Sequence, residues 1–348
     1  MDTAHHGPAA AARALRGGHG WGVLPGLVLA VAVAAAATGL ASVIPLVGGP
    51  VLGIVLGVAV ATVSRPGVAL VPGIAFAGRN VLQLAVVVLG AQLSLGEVAK
   101  VGVDSLPVLL GTLAACLALA PLIGRALGIS RDLRTLIGVG TGICGASAIA
   151  AVTPVIGAAE LDVAFAISTI FLFNVAAVLL FPVIGHALGL SQHAFGVFAG
   201  TAVNDTSSVV AAATSYGHSA ARTAVVVKLT RTLMIVPICV GLAAGAGKVA
   251  PGPRRLRRLA GQARVVPGFL VAFLVLAAVN SAGAIPASSG PALSRTATML
   301  ITVALAGVGL SIDLGGLRRT GWRPLALGAA LWVTVGATSL VLQSVTGL

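Results

Sequence analysis

The sequence predicts an all-α polytopic membrane protein, and three observations carry that prediction. Of 348 residues, 58% are hydrophobic and only 8% charged, against about 25% charged in an ordinary soluble domain. Apolar runs long enough to cross a ~30 Å hydrocarbon layer recur from Trp21 to the C-terminus. The 21 Lys and Arg residues are distributed between the connecting loops very unevenly, as the positive-inside rule requires of a spanning chain.

Eleven apolar segments follow in order: 21–43, 45–63, 80–95, 105–124, 133–158, 160–184, 191–216, 220–246, 265–284, 291–314 and 318–345. The first is longer than a cleavable signal core and is followed at once by another span, so it reads as an uncleaved first helix. Residues 1–20 read as a cytoplasmic tail, and 21–345 as one transmembrane domain. With the N-terminus inside, sixteen basic residues fall on the cytoplasmic side, and only Lys100, Arg222 and Arg295 face outward. That count places the C-terminus outside after an odd number of spans. The densest run, "KVAPGPRRLRRLAGQAR" at 248–264, is then a cytoplasmic loop that can also touch anionic lipid. The net charge of +13 therefore reports topology rather than nucleic-acid binding.

Two internal similarities organise the chain. Residues 89–111 match 306–328, pairing Gly90 with Gly307, Ser94 with Ser311 and Pro107 with Pro324. Their helices run in opposite directions under the charge-derived topology, the mark of an inverted-repeat transporter. The second similarity aligns "GTGICGASAIAA" (140–151) with "GTAVNDTSSVVA" (200–211). Both are small-residue interruptions within apolar segments, and they predict discontinuous helices near 140–146 and 200–207. Irregular backbone at membrane depth is tolerated only where it lines a cavity or is buried in protein, so the pair points to a midplane binding site. Close packing of small residues between helices is the alternative for the glycines. Counted as spans, the two segments share one direction, whereas inverted symmetry wants them opposed; either one is re-entrant or the repeat assignment is partly wrong.

Eight acidic residues exist, and Asp205 alone falls midway along a span, where a carboxylate costs at least ~2.5 kcal/mol. In the next segment, Lys228 and Arg231 lie three apart on one helical face, at roughly the depth of Asp205. One buried acid beside two cations leaves a positive surplus, which suits an anion; an ion pair stapling two helices is the alternative. A half-helix starting near Ala146 would add its unpaired N–H groups and positive dipole end. Candidate substrate-binding residues are thus Thr141, Gly142, Cys144, Gly145, Ser147, Thr201, Asn204, Thr206, Ser207, Lys228 and Arg231, with Asp205 and Asn204 as candidates for a coupling ion. For Cys144, packing or weak contact is favoured over a reactive thiol, since an apolar setting disfavours the thiolate. Asn174 and Asn280 read as interhelical hydrogen-bonding amides.

The motifs "TGICGASAIAAVTPVIGA", "GTAVNDTSSVVAAATSYG", "VVKLTRTLMIVP" and "GLSIDLGGLRRTGWRPLALG", in this order, resemble the YeiH-type sulfate exporter family of bacterial inner-membrane proteins. More distantly the chain is similar to the bile-acid, arsenite and riboflavin transporter group. The resemblance implies a secondary carrier with two broken helices at a crossing and a sulfate or related sulfur oxyanion as substrate. Some members of that family look to have His followed by an acid where this chain has Asn204 and Asp205, which implies that coupling here runs through Asp205 or through sodium.

The expected function is export of a small sulfur oxyanion or organosulfonate by alternating access, coupled to H+ or Na+. An anion channel, or a ligand-sensing membrane module without coupled transport, is the alternative. No enzyme is expected, since no Walker A motif, HExxH motif or acid pair occurs, and neither is a cofactor or a metal. The expected partners are the anion, the coupling ion, the lipid bilayer and, as an assembly, a homodimer; nucleic acid is not among them.

Overall fold

A computed structural model describes residues 22–43, 48–64, 66–245, 268–311 and 321–348. The expected cytoplasmic tail and the whole of the basic loop at 248–264 lie outside the described residues. Among those residues the chain is helical, with no strand. The helices are α1 Leu24–Val43, α2 Gly49–Ser64, α3 Val71–Gly90, α4 Leu95–Asp104, α5 Leu106–Ala126, α6 Arg131–Gly142, α7 Ala146–Ile156 and α8 Glu160–Ala187. There follow α9 Gln192–Ala202, α10 Thr206–Tyr216, α11 His218–Thr232, α12 Ile235–Gly245, α13 Gly268–Ser281, α14 Gly290–Leu310 and α15 Trp322–Thr346. Six of them, α1, α3, α5, α8, α14 and α15, are long and apolar enough to cross a membrane. The chain is a polytopic α-helical membrane protein.

One boundary differs from the sequence reading. The third segment, expected to start at residue 80 beyond the charged Arg79, begins at Val71. Pro72 sits in its first turn, where a missing N–H costs nothing. A π-helical turn at Ala77–Val81 carries Arg79 on an exposed face, so the charge rides on the helix instead of ending it. An α-helix also covers Leu95–Asp104, started by a reciprocal Ser94–Glu97 capping box.

The chain divides into two compact units. The first holds residues up to Val86 and Pro291–Leu314, and within it helices approach closely through small residues. A Cβ added at Gly57 would stand 2.6 Å from the Ala306 carbonyl, and one at Gly53 would stand 3.1 Å from that of Thr302. This is how apolar helices gain van der Waals contact when lipid supplies no hydrophobic drive.

The second unit, Val87–Gly290 with Gly315–Leu348, contains two helical hairpins. Ser130, which caps α6, donates to Asp162 in the first turn of α8 at 3.3 Å. A straight helix over 131–156 would put its far end ~38 Å away, while the chain from Ile156 to Asp162 reaches at most ~21 Å. So α7 folds back beside α6, and Ile149 packs on Gly140. In the second hairpin Tyr216, ending α10, donates its hydroxyl to the Leu190 carbonyl just before α9, and its ring stacks on Phe195 at 3.9 Å. Gln192 Oε1 accepts from the Ser219 N–H at 3.0 Å, closing the base of that hairpin.

These contacts decide the paths of 133–158 and 191–216, which the sequence left open: each segment folds back as a hairpin whose two ends lie close together. The bases lie at opposite ends of α8, one at Asp162 and the other where His186 stacks on Tyr216 at 4.3 Å. The hairpins therefore approach the middle of α8 from its opposite ends. Helix α8, at 1.5 Å per residue, is ~42 Å long, enough to separate the two bases and bring both tips to its middle.

Candidate functional site

The first hairpin turns at Ile143–Gly145. Ile143 has φ −122° and ψ −88°, and Gly145 has φ +67° and ψ −129°; the positive φ is one that glycine adopts without the penalty of a Cβ. The second hairpin turns at Val203–Asp205 in extended backbone. The tips meet: a Cβ on Gly145 would contact Asp205 Cβ at 3.5 Å and Ile170 of α8 at 3.4 Å. Asn174, one turn further along α8, accepts the Asn204 N–H at 3.1 Å. Four half-helix ends converge there: the C-termini of α6 and α9, and the N-termini of α7 and α10.

Helix α11 supplies the link between the tips. It lies along α9 because Gly196 and Gly200 have no side chains; added Cβ atoms would fall 2.6 and 2.7 Å from Thr223 and Val227. That approach carries Lys228 and Arg231, both fully buried, to the crossing. Lys228 Nζ donates to the Ile143 carbonyl at 2.8 Å and the Val203 carbonyl at 2.9 Å, one from each tip. Arg231 Nε donates to the Gly142 carbonyl at 2.7 Å and Nη2 to that of Thr141 at 2.6 Å, while Nη1 reaches the Thr201 and Val203 carbonyls. The planar fork satisfies orphan carbonyls at the ends of α6 and α9 simultaneously, and its charge opposes their negative dipole ends.

Asp205 caps α10: Oδ1 accepts the Ser208 N–H at 2.8 Å and the Ser207 hydroxyl, and Oδ2 accepts the Ser208 hydroxyl at 2.8 Å. It forms no ion pair with either cation among the described residues. This differs from the acid-between-cations arrangement expected from sequence: the cations are turned to backbone carbonyls and the acid to N–H and hydroxyl donors. Thr206 and Ser207 are half-buried beside it.

The remaining candidates fall at the same place. Thr141 and Asn204 are each 1% exposed, and the Thr141 hydroxyl and both amide atoms of Asn204 lack a protein partner. Cys144 is buried at the first tip and is a free thiol, as are Cys116 and Cys239. Ser147 and Ala146, the first residues of α7, are exposed, and no side chain caps that helix. The Thr201 hydroxyl belongs to a buried chain that sequence reasoning missed: it lies 2.7 Å from the Ser339 hydroxyl, which accepts from Gln343 Nε2 at 3.1 Å. The available signal was the spacing of four between Ser339 and Gln343, which sets two polar groups on one face of an apolar helix. Asn280 donates to the Leu93 carbonyl at 3.2 Å in the loop between α3 and α4, so it, like Asn174, ties a helix to a non-helical turn and not to another helix as expected.

Charges at the crossing sum simply. Each helix end carries roughly half an elementary charge, and two positive and two negative ends cancel. Two basic side chains and one carboxylate remain beside the start of α7, and the crossing carries a positive surplus whenever Lys228 is protonated.

Comparison with known proteins places this sequence in a family. Residues 25–328 match the family model described as Conserved hypothetical protein 698. A UPF0324 membrane protein of Streptococcus agalactiae serotype V is 39% identical over 328 residues, covering 93% of this chain and 98% of that one. Others from Streptococcus pyogenes serotype M3 and Fusobacterium nucleatum are 41% identical over 334 residues and 36% over 345, with 93% of this chain covered in each case and 98% and 99% of the relative. The chain is a multi-pass bacterial membrane protein belonging to the Conserved hypothetical protein 698 family.

Proposed function

We propose that the protein is a secondary carrier of a small oxyanion, with its substrate held where the two hairpin tips meet. The observation that carries this reading is the asymmetry of the four helix ends. Both C-terminal ends are occupied by Lys228 and Arg231, and the α10 N-terminus is occupied by Asp205. The α7 N-terminus alone has no side-chain cap, and its Ala146 and Ser147 are exposed. An open helix N-terminus beside a net positive charge takes an anion. The Ser147 and Thr206 hydroxyls and the Asn204 amide are the neighbouring donors, while the Ser207 hydroxyl is already given to Asp205.

In this reading the hairpins are re-entrant, and nine segments cross the membrane: α1, α2, α3, α5, α8, α11 with α12, α13, α14 and α15. The number stays odd, so the charge-derived orientation with the N-terminus inside is kept. The first hairpin enters from the cytoplasm and the second from outside, an inverted pair of the kind used for alternating access. The resemblance to the YeiH-type family favours sulfate or a related sulfur oxyanion, moved outward.

The test is flux of radiolabelled sulfate, sulfite, thiosulfate and taurine in reconstituted vesicles, with Ser147→Asp as the diagnostic variant. A carboxylate in the first turn of α7 competes for the open N–H groups, so this variant loses flux and keeps its melting temperature. Undiminished flux in Ser147→Asp would remove α7 from the site.

A further inference from the structure

We infer that the two hairpin tips form a monovalent-cation site whose ion is carried by the chain itself, as the Lys228 ammonium, so that the crossing works without free sodium. The oxygen geometry comes first. Five backbone carbonyls accept from the cationic groups of α11: those of Thr141, Gly142 and Thr201 at the ends of α6 and α9, and those of Ile143 and Val203 in the two tips. Carbonyls at half-helix C-termini and unwound turns are the ligands with which membrane carriers coordinate a hard monovalent cation. Here Lys228 Nζ stands between one carbonyl from each tip at 2.8 and 2.9 Å, the place a bridging ion would take.

The tips also hold buried polar groups without a protein partner, the Thr141 hydroxyl and both Oδ1 and Nδ2 of the Asn204 amide. An ammonium brings three N–H donors, of which the two carbonyls use two. A free cation added beside Lys228 and Arg231 would meet two like charges in a medium that screens poorly. The tethered ammonium thus fills the position and repels competitors for it.

The consequence for structure is independent of transport, whereas the consequence for coupling rests on the carrier reading above, and the experiment separates them. Purified full-length protein in detergent is melted in sodium chloride and in choline chloride of equal ionic strength. The expected result is the same melting temperature in both; stabilisation by sodium over choline would overturn the inference. Lys228→Ala is expected to melt ~5–10 °C lower and to recover at least half of that loss in ammonium or methylammonium chloride, which carry N–H donors. Tetramethylammonium, which has none, should restore nothing. A folded Lys228→Ala protein indifferent to ammonium would also overturn it, and if that variant fails to fold, the sodium comparison on the unmodified protein still decides. Sulfate flux into vesicles should be unchanged when choline replaces sodium. Absence of any sulfate flux would count against the carrier reading for sulfate, while the melting results stand on their own.

Discussion

Replacing Arg231 by Met separates two roles that a buried arginine in a carrier can have. The side chain is 0% exposed and donates to carbonyls at the ends of two different half-helices, at 2.6 and 2.7 Å to Thr141 and Gly142 on one side and to Thr201 and Val203 on the other. Methionine fills most of the volume but leaves these carbonyls facing apolar surroundings. Hydrogen bonds to a charged donor contribute about 1.5–3 kcal/mol each, and the loss of two or three of them, partly offset by removing a buried charge, leaves a cost of ~3–6 kcal/mol. At ~2–4 °C per kcal/mol, Arg231→Met should melt on the order of 6–24 °C below the parent protein, followed by tryptophan fluorescence in detergent. Arg231→Lys keeps the charge but loses the fork, so it should fall between the two. A ligand that only met substrate would behave differently: Arg231→Met would then keep its melting temperature and lose only its response to anions. That result would refute the assignment of Arg231 as the clasp between the tips.

Three further outcomes follow from the same geometry. Asp205→Asn keeps one acceptor for the Ser208 N–H but removes the charge and an oxygen that accepts a serine hydroxyl; it should lower vesicle flux while costing only ~1 kcal/mol of stability, and unaltered flux would show that the carboxylate charge is not needed. Gly145→Ala should destabilise by about 1–3 kcal/mol in thermal melts, because φ +67° with ψ −129° suits glycine while the nearest neighbours, at 3.4 Å and beyond, leave room for a methyl group. Gly200→Ala puts a Cβ 2.7 Å from Val227 Cβ and 2.9 Å from the Ala224 carbonyl; prising α9 from α11 should cost ~1–3 kcal/mol and loosen the Arg231 contact with Thr201, detectable as faster hydrogen exchange at 200–205.

Much of the site was legible because membrane depth makes polar groups expensive. Asp205, Lys228, Arg231 and the Gly-rich stretch at 140–145 stand out in an apolar chain, and the backbone breaks where those residue types said it would. Their partners were not legible. Coulomb's law suggested pairing the acid with the bases, but both cations found unpaired backbone carbonyls, and Asp205 found the N–H group and hydroxyls of its own helix. Hydrogen-bond demand at four helix ends is created by the breaks themselves, and a residue list does not reveal how many carbonyls a turn leaves open.

The direction of the broken segments shows the division most plainly. Composition and charge by themselves determined a polytopic helical membrane protein, the positions of its apolar segments, and where those at 133–158 and 191–216 lose their regularity, since each of these depends on local residue type. Whether such a segment runs through or turns back depends on contacts between residues far apart in the chain: Ser130 with Asp162, Tyr216 with Leu190, Gln192 with Ser219. Two helices of 11 or 12 residues have the same apolar pattern whether joined end to end or folded side by side. Only the tertiary structure, by closing each hairpin at its base, decided that the tips oppose one another and that two cations from a third helix hold them together.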